Sequence, residues 1–358
     1  MKGSLFTILF CLIVFLGIGQ TSTPKYSNEF LSIGVDARAL GMSSAFTAVS
    51  NDVTSSYWNP AGLLGLETKY DVGLMHAQYF AGIANYDFVG FATQVDSVSA
   101  LSISAIRFGI DDIPDTRFLY DANGTLNYDN IRFFSAADYA FLLSYARKIN
   151  VLGGIDFGGN VKIIHRSAGS FAKAWGYGID VGLKKQINSL SLGLMFRDVT
   201  GTYNSWSHST ELLADIYTQT GNALPENSLE VTLPRIVLGT AYDINIKDIV
   251  SVLISLDFEF TFDGQRNVLV TGDPVSIDPR VGLEIGYKDK FFVRGGVGQI
   301  QEIQNFDQSF TMVYQPNFGI GINIKDIRID YAMTDIGDQA ETPYSHVVSL
   351  KFGLNDKD

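Results

Sequence analysis

FLSIGVDARALGMSSAFTAVSNDVTSSYWNPAGLLGL, residues 30 to 66, is the stretch that decides how the rest of the chain is interpreted. It is rich in alanine, glycine and serine, and it lies between an apolar leader and a long series of alternating segments. Small residues let neighbouring backbones approach closely. We therefore expect residues 20–69 to form a plug packed inside a larger structure.

The local chemistry of this stretch favours short helices. Asp36 and Asp52 can each cap a helix, because a carboxylate accepts hydrogen bonds from the free N–H groups of the first turn. Asn59-Pro60-Ala61 repeats the signal, since proline at the first helical position loses no hydrogen bond. A small-residue helix of a soluble domain would share these features, so the segment alone leaves both interpretations open.

Residues 35–63, VDARALGMSSAFTAVSNDVTSSYWNPAGL, resemble the N-terminal signature of the PorV/PorQ family of outer-membrane proteins. That family is related to the fatty-acid transporter FadL, and Asn59-Pro60-Ala61 falls where the wider superfamily has the Asn-Pro-Ala element of its N-terminal hatch. The resemblance implies a plugged β-barrel with a role in type IX secretion. The plug-motif residues on this basis are Asp36, Arg38, Trp58, Asn59, Pro60 and Ala61.

Residues 1–19 have the pattern of a cleaved signal peptide. Lys2 supplies the positive charge, Leu5 to Leu16 is apolar, and small residues precede a cleavage point before Gln20. The apolar run is shorter than the roughly 20 residues of a membrane-spanning helix. The only cysteine, Cys11, lies in this leader, so we expect the mature chain to lack disulfides and cysteine-based metal sites.

The composition points to a membrane barrel exported to the bacterial outer membrane. The 358 residues carry a formal charge of −12, which argues against nucleic-acid binding because a basic face would be needed. Hydrophobic residues make up 46% of the chain, yet from Tyr70 onward they alternate with polar ones. Alternation predicts strands with one apolar face, and a transmembrane β-barrel needs only one such face.

The alternation predicts about fourteen antiparallel strands, an even number as single-chain bacterial barrels require. In Trp175 to Leu183, for example, aromatic or branched residues alternate with glycine or aspartate. The barrel is expected over residues 70–358. Its strands are placed near 70–80, 84–95, 99–113, 137–149, 152–168, 172–187, 190–201, 232–244, 249–262, 278–288, 290–301, 310–325, 327–337 and 344–354.

The connections between these strands differ in length and charge. Tight turns should lie on the periplasmic side and long loops, above all 114–136 and 202–231, outside. Lysine and arginine gather at the short-turn end, and the long loops are acidic. Apolar loop residues fit either an interfacial aromatic girdle or a partner-docking surface. The candidate partner-binding residues are Phe118, Tyr120, Phe133, Phe134, Trp206 and Tyr217.

Charged residues on the inner face of the strands have two interpretations. They can pair across neighbouring strands and hold polar groups of the plug, which we favour, or they can line a conduction pathway. The strand at 99–113 loses its alternation at Ile106-Arg107-Phe108. This break would fit either a kink beside a lateral opening or a harmless bulge.

No catalytic or cofactor pattern is present, so we expect no enzyme, cofactor or metal. The four histidines are scattered, and the acidic residues near Asp111 lack a calcium-loop motif. The resemblance implies a non-enzymatic component of the type IX secretion system that binds translocon partners or exported cargo with C-terminal sorting domains. The alternative is a FadL-like transporter of hydrophobic small molecules. Outer-membrane lipid is a partner in both cases.

Overall fold

The computed structural model describes residues 27–121, 123–151, 153–305, 307–334 and 345–355. The expected signal peptide, Cys11 and the first residues of the expected plug lie outside the described residues. So does the whole connection before the last strand, residues 335–344.

The chain forms one antiparallel sheet that closes on itself as a barrel. The first strand, β1, pairs with β2 on one side and with the last strand, β16, on the other. Closure leaves no free edge within lipid, where an unpaired backbone group would cost several kcal/mol. The strand segments are β1 (Tyr70–Tyr79), β2 (Ala84–Asp96), β3 (Ser99–Asp115), β4 (Arg132–Ile149), β5 (Ile155–Ala168), β6 (Ala172–Ile187), β7 (Leu190–Arg197), β8 (Thr202–His208), β9 (Ser228–Thr232), β10 (Arg235–Ile246), β11 (Val250–Thr261), β12 (Ser276–Tyr287), β13 (Phe291–Gln304), β14 (Phe310–Ile324), β15 (Ile327–Thr334) and β16 (Ser345–Leu354).

These sixteen segments make fourteen strands around the barrel, as the alternation predicts. β6 pairs with β7 along one half of its length and with β8 along the other, while β7 pairs with β10 and β8 with β9. The segments β7–β8 and β9–β10 are therefore two barrel strands, each interrupted once. Asp198 and Gly201 have positive φ at the first interruption, and Pro234, which lacks an N–H donor, lies at the second.

The two faces of the strands differ as a membrane barrel requires. On β6, Trp175, Tyr177 and Ile179 point outward and are exposed, while the flanking Ala174 and Asp180 face the interior and are buried. Lipid covers the apolar outer face. No helix in the described part of the chain is long and apolar enough to cross a membrane.

The break in alternation on β3 is not a kink. Pairing with β2 continues through Ile106, Arg107 and Phe108 without a register shift. The irregularity lies further along, between Ile110 and Ile113, where the register against β4 changes. Ile106 is apolar but faces inward, because this part of the interior is an apolar core. The alternation is inverted here, because the inward residues Ile106 and Phe108 are apolar and the outward residue between them, Arg107, is charged.

The connections define an inner and an outer end of the barrel. Inner turns are short, and some use left-handed residues such as Lys288 and Asp289, as two-residue hairpins do. Among the longer outer connections, 209–227 contains the helix Thr210–Thr220 and 116–131 contains the 3-10 turn Tyr128–Asn130. Two outer connections, 80–83 and 169–171, are nevertheless short.

Residues 27–69 lie inside the barrel as a plug of short helical pieces. These are the 3-10 turn Glu29–Leu31, the helices Ala37–Gly41 and Ser55–Trp58, and the 3-10 helix Pro60–Gly65. The plug enters at the outer end, where Glu29 lies 3.8 Å from Arg266 of an outer connection. It leaves at the inner end, where the Lys69 N–H donates to Asn355 Oδ1 at 3.0 Å. The plug therefore spans the interior from end to end.

This direction can be tested by labelling. Glu29 at the outer end and Glu67 at the inner end are both solvent-accessible. In intact cells, we expect a membrane-impermeant maleimide to label a Glu29→Cys variant and not a Glu67→Cys variant. Permeabilising the outer membrane should make the second variant react as well. Equal labelling of both variants in intact cells, or the reverse pattern, would contradict the direction of the plug.

Candidate functional site

The plug motif folds through local caps. Asp36 precedes the helix Ala37–Gly41, and its carboxylate accepts from the Arg38 N–H at 3.4 Å. Asn59 Oδ1 accepts from the Ala61 N–H at 3.2 Å, and Pro60 is the first residue of the 3-10 helix. Aspartate and asparagine commonly cap helices in this way, and proline is common at the first helical position.

Asn59 also connects the plug to the barrel wall. Its side-chain amide donates to the Thr47 carbonyl within the plug and to the Leu183 carbonyl on β6, both at 3.1 Å. A Cβ on Gly182, beside Leu183, would lie only 2.1 Å from Asn59 Oδ1. Glycine at this wall position therefore makes the Asn59 contact possible.

Lys351 on β16 is the strongest link between plug and wall. Its ammonium lies 2.7 Å from Asp36 Oδ2 and 2.7 Å from Asp52 Oδ2. The Ala37 N–H donates to Ser349 Oγ on the same strand at 2.7 Å. Lys351 belongs to no recognised motif, but a lysine on the inward face of the last strand is a sequence signal that could have predicted a buried ion pair.

The plug holds β1 as well as β16. The Val53 N–H donates to Asp71 Oδ2 on β1 at 3.0 Å, and Asp71 is buried. Because β1 and β16 are the first and last strands, the plug makes hydrogen bonds to both strands of the seam at which the barrel closes. The seam is thus fixed from within as well as by its own backbone hydrogen bonds.

Arg38 links the plug to another strand of the charged wall, β12. Its guanidinium makes two hydrogen bonds to the Glu284 carboxylate on β12, at 2.9 and 2.7 Å. Glu284 also accepts from Arg294 Nε at 2.5 Å, and Arg294 pairs with Asp330 at 2.8 Å. Paired charges of this kind avoid the large cost of burying a single ion.

The plug residues Arg38 and Asp52 both stay charged at neutral pH. Burial opposes the charge on Arg38, but the Glu284 carboxylate raises the pKa of Arg38 above its usual range. Burial likewise opposes the charge on Asp52, yet the Lys351 ammonium holds the pKa of Asp52 well below its usual range. The stabilisation from Asp52 is therefore present at neutral pH and is lost only in strong acid.

Trp58 makes its hydrogen bond and its ring contacts within the plug. The indole N–H donates to the Val35 carbonyl at 2.9 Å, and the ring packs edge-on against Tyr57 and Phe46. All three partners belong to the plug. Trp58 therefore holds the plug segments together, whereas Arg38 and Asn59 make hydrogen bonds to the wall.

The interior has a charged side and an apolar side. On the apolar side, inward residues of β1 to β5 pack against the plug, including Tyr79, Tyr86, Ile106, Leu142 and Ile164. On the charged side, narrow polar clefts remain. One of them, lined by residues that include Arg197, Arg235 and Arg280, has room for about one water molecule.

The outer connections carry a second candidate site. Arg117 pairs with Asp115 at 2.7 Å, donates to the Leu212 carbonyl at 3.0 Å and places its guanidinium 4.4 Å from the centre of the Phe171 ring. It thereby joins the connection 116–131 to the helix Thr210–Thr220. The exposed aromatic side chains on this part of the molecule form what we call the outer platform: Phe118, Tyr120, Tyr128 and Phe133.

The candidate partner-binding residues divide into two groups. Phe118, Tyr120 and Phe133 belong to the outer platform. Phe134 packs against Phe171, and Trp206 donates its indole N–H to Glu230 at 2.6 Å under the guanidinium of Arg166. Tyr217 is half-buried on its helix. Phe134 and Trp206 are thus occupied by contacts within the chain.

Removing the Lys351 charge should destabilise the barrel strongly. In Lys351→Met, two buried carboxylates would lose their shared cation, which should cost about 3–5 kcal/mol in the free energy of unfolding. The shift can be measured from the denaturant midpoint, or from the temperature at which the folded form disappears on a gel. The exposed Lys290→Met variant, at the inner end, should stay near wild type.

A compensated variant separates charge from packing. Lys351→Met combined with Asp36→Asn and Asp52→Asn removes the unpaired carboxylates and keeps residues that can cap helices. We expect it to recover most of the lost stability. If the triple variant is as unstable as Lys351→Met alone, the ion pairs are not the source of the loss.

Two neighbouring glycines on β5 provide a steric test of the plug motif. A Cβ on the inward-facing Gly158 would lie 2.4 Å from backbone atoms of Pro60 and Ala61, whereas a Cβ on Gly159 meets nothing closer than 3.5 Å. Gly158→Ala should therefore lower the yield of folded barrel and its melting temperature. Gly159→Ala should leave both unchanged, and equal behaviour of the two variants would show that the plug does not press on β5.

Comparison with known families gives one match that covers most of the chain. Residues 20–259 match the family model described as type IX secretion system protein PorV. No curated protein matches the chain.

Several solved structures share the fold at low sequence identity. The Pseudomonas putida toluene transporter TodX is 13% identical with a TM-score of 0.54, and the match covers 90% of this chain and 99% of that chain. The Ralstonia pickettii toluene transporter TbuX is 14% identical with a TM-score of 0.52, covering 90% and 99%. The CymD monoaromatic hydrocarbon channel is 12% identical with a TM-score of 0.53, covering 90% and 98%. At these identities the likeness establishes the fold alone.

Proposed function

Because the chain belongs to the PorV family of type IX secretion system proteins, we propose that it is a non-enzymatic docking component of that system in the outer membrane. Its outer connections bind translocon proteins or exported cargo that carries a C-terminal sorting domain. The barrel holds this docking surface in the membrane. The observation that carries the proposal is the combination of a plug locked into the interior and exposed aromatic side chains outside.

The locked plug favours a role at the surface over transport through the interior. Arg38 and the carboxylates of Asp36 and Asp52 are bound by buried charge pairs to two separate strands of the charged wall, β12 and β16. Displacing the plug would separate all of these charges at once, and breaking one buried pair typically costs about 3–5 kcal/mol. A solute would have to supply that free energy to open a path.

The outer platform has the properties of a protein-binding surface. Tyr120 and Phe133 are each more than 60% exposed, and Phe118 is held in place between Arg117 and Arg132. Exposed aromatic side chains on a rigid support are typical of residues that dominate binding energy. The platform lies on the outer connections, where an exported protein arrives.

The experiment is a double substitution in the outer platform. With Phe118→Ser and Tyr120→Ser, loss of two aromatic anchors at about 1–2 kcal/mol each should weaken partner binding roughly thirty- to thousandfold. Exported proteins should then decrease at the cell surface and in the medium. The amount of folded barrel should not change, because both side chains are exposed.

A matched control distinguishes the platform from exposed apolar surface in general. Phe262 and Leu269 are exposed to a similar degree in another outer connection. Phe262→Ser with Leu269→Ser should leave secretion intact. If the platform variant secretes normally, or both variants fail equally, the platform is not the docking site.

A second candidate function is transport of hydrophobic small molecules. The apolar side of the interior, with Tyr79, Tyr86 and Leu142, is the observation that favours it. Under this alternative, a deletion strain should lose uptake of an apolar solute such as toluene and secrete normally. Under the docking proposal, the strain should lose secretion and retain uptake.

A further inference from the structure

Six outward-facing residues form an unbroken row across six neighbouring strands, β1 to β6. Each residue is the direct cross-strand partner of the next. We call this row the polar row. In order it is His76, Asp87, Arg107, Tyr139, His165 and Trp175.

The members of the polar row also touch through their side chains. His76 Nδ1 lies 2.7 Å from Asp87 Oδ1. The Arg107 guanidinium lies 3.5 Å from Asp87 and 3.5 Å from Asp111, so the two carboxylates orient it from both sides. The His165 ring stacks on Trp175, with 4.2 Å between the ring centres. The row is thus a connected structure rather than a chance alignment.

The polar row lies on the outer surface of the barrel. The neighbouring positions along the same strands, such as Met75, Tyr86 and Ile106, face the interior and are buried. The side chain of His76 is 54% exposed and that of Arg107 is 31% exposed. Charged groups facing lipid need an explanation, because they cost about 2–4 kcal/mol at the bilayer midplane and almost nothing at its interface.

The depth of the polar row in the membrane explains how these charged groups can face outward. Arg107 is eight residues from the inner end of β3 at Ser99, and Tyr139 is ten residues from the inner end of β4 at Ile149. A tilted strand crosses the hydrocarbon core in about 9–11 residues. The polar row therefore marks the level at which the hydrocarbon ends and the head groups of the outer leaflet begin.

The surrounding residues agree with this level. On the inner side of the row, the outward-facing residues are apolar, including Ile103 on β3, Leu143 on β4 and Ile163 on β5. On the other side, the outward positions become polar, with Asp111 on β3 and the exposed Lys173 on β6. The change occurs across the row itself.

The row is confined to one side of the barrel. At a comparable distance from the inner turns, the opposite side presents apolar outward residues such as Leu238 on β10, Phe258 and Phe260 on β11. A generic interface would not require the two sides to differ. The outward face of β1 to β6 therefore differs at this level from that of β10 and β11.

We propose that the polar row and Lys173 form a binding site for a phosphate-bearing glycolipid of the outer leaflet. Guanidinium and ammonium groups are the usual protein partners of phosphate. Arg107 on β3 and Lys173 on β6 are three strands apart, or about 15 Å at the usual strand spacing. Two cations at this separation fit a head group with a phosphate at each end of a disaccharide, and the stacked rings of His165 and Trp175 between them pack against the sugars.

The test uses the full-length protein purified in detergent and titrated with bis-phosphorylated lipid A, with binding followed by native mass spectrometry. The double variant Arg107→Gln with Lys173→Gln should lose at least about fivefold in apparent affinity, since each lost charged contact is worth about 0.5–1 kcal/mol at an exposed site. A matched variant, Lys288→Gln with Lys290→Gln, removes the same charge at the inner end and should bind as wild type does.

Four outcomes would overturn the proposal. One is an unchanged affinity of the Arg107/Lys173 variant for lipid A. Another is equal binding of phosphatidylcholine or of dephosphorylated lipid A by the wild-type protein, which would show contact with acyl chains alone. The third is loss of a co-purifying protein with lipid A binding intact, which would assign this surface to a protein partner. Competition by inorganic phosphate alone would also contradict a site built for a head group that spans both cations.

Discussion

The ammonium of Lys351, held between the carboxylates of Asp36 and Asp52, is the interaction on which the rest of the structure depends. It joins the plug to β16, the last strand of the barrel. Leaving one of these buried charges without its partner would be strongly destabilising, so the stability of the plug and the stability of the β1–β16 seam are coupled. The depth of the plug follows from this anchoring, and Arg38 adds a second charged contact with the wall.

Anchoring of the plug also determines where the protein can act. The interior is occupied by apolar packing on one side and by charge pairs on the other, with clefts about the size of a water molecule between plug and wall. The fold is that of the hydrocarbon channels it resembles, but the family is that of a secretion component. Fold does not determine function, and here the exposed chemistry lies on the outer connections and on the outward face at head-group level.

The sequence predicts the barrel well because alternation is a local property of each strand. The fourteen strands, the short inner turns and the caps at Asp36 and Asn59 could all be read from neighbouring residues. Pairing across the interior could not, because the choice of Glu284 for Arg38 or of Lys351 for Asp52 depends on where distant strands lie. The strand interruptions at Asp198 and Pro234 and the contacts of Trp58 within the plug could not be predicted either, because they also depend on residues distant in the sequence. At Ile106, the alternation fails for a reason that is visible only when the apolar half of the interior is known.

If this barrel presents a docking surface for secretion, affinity purification from the native membrane in mild detergent should recover the proteins that bind it. Mass spectrometry of the eluate should identify both proteins and small molecules bound to the wild-type chain. We expect the eluate to contain stoichiometric secretion proteins, or exported proteins that share a C-terminal sorting domain. An eluate without stoichiometric protein, in which the barrel retains a fatty acid or another apolar ligand, would contradict it and favour a transporter.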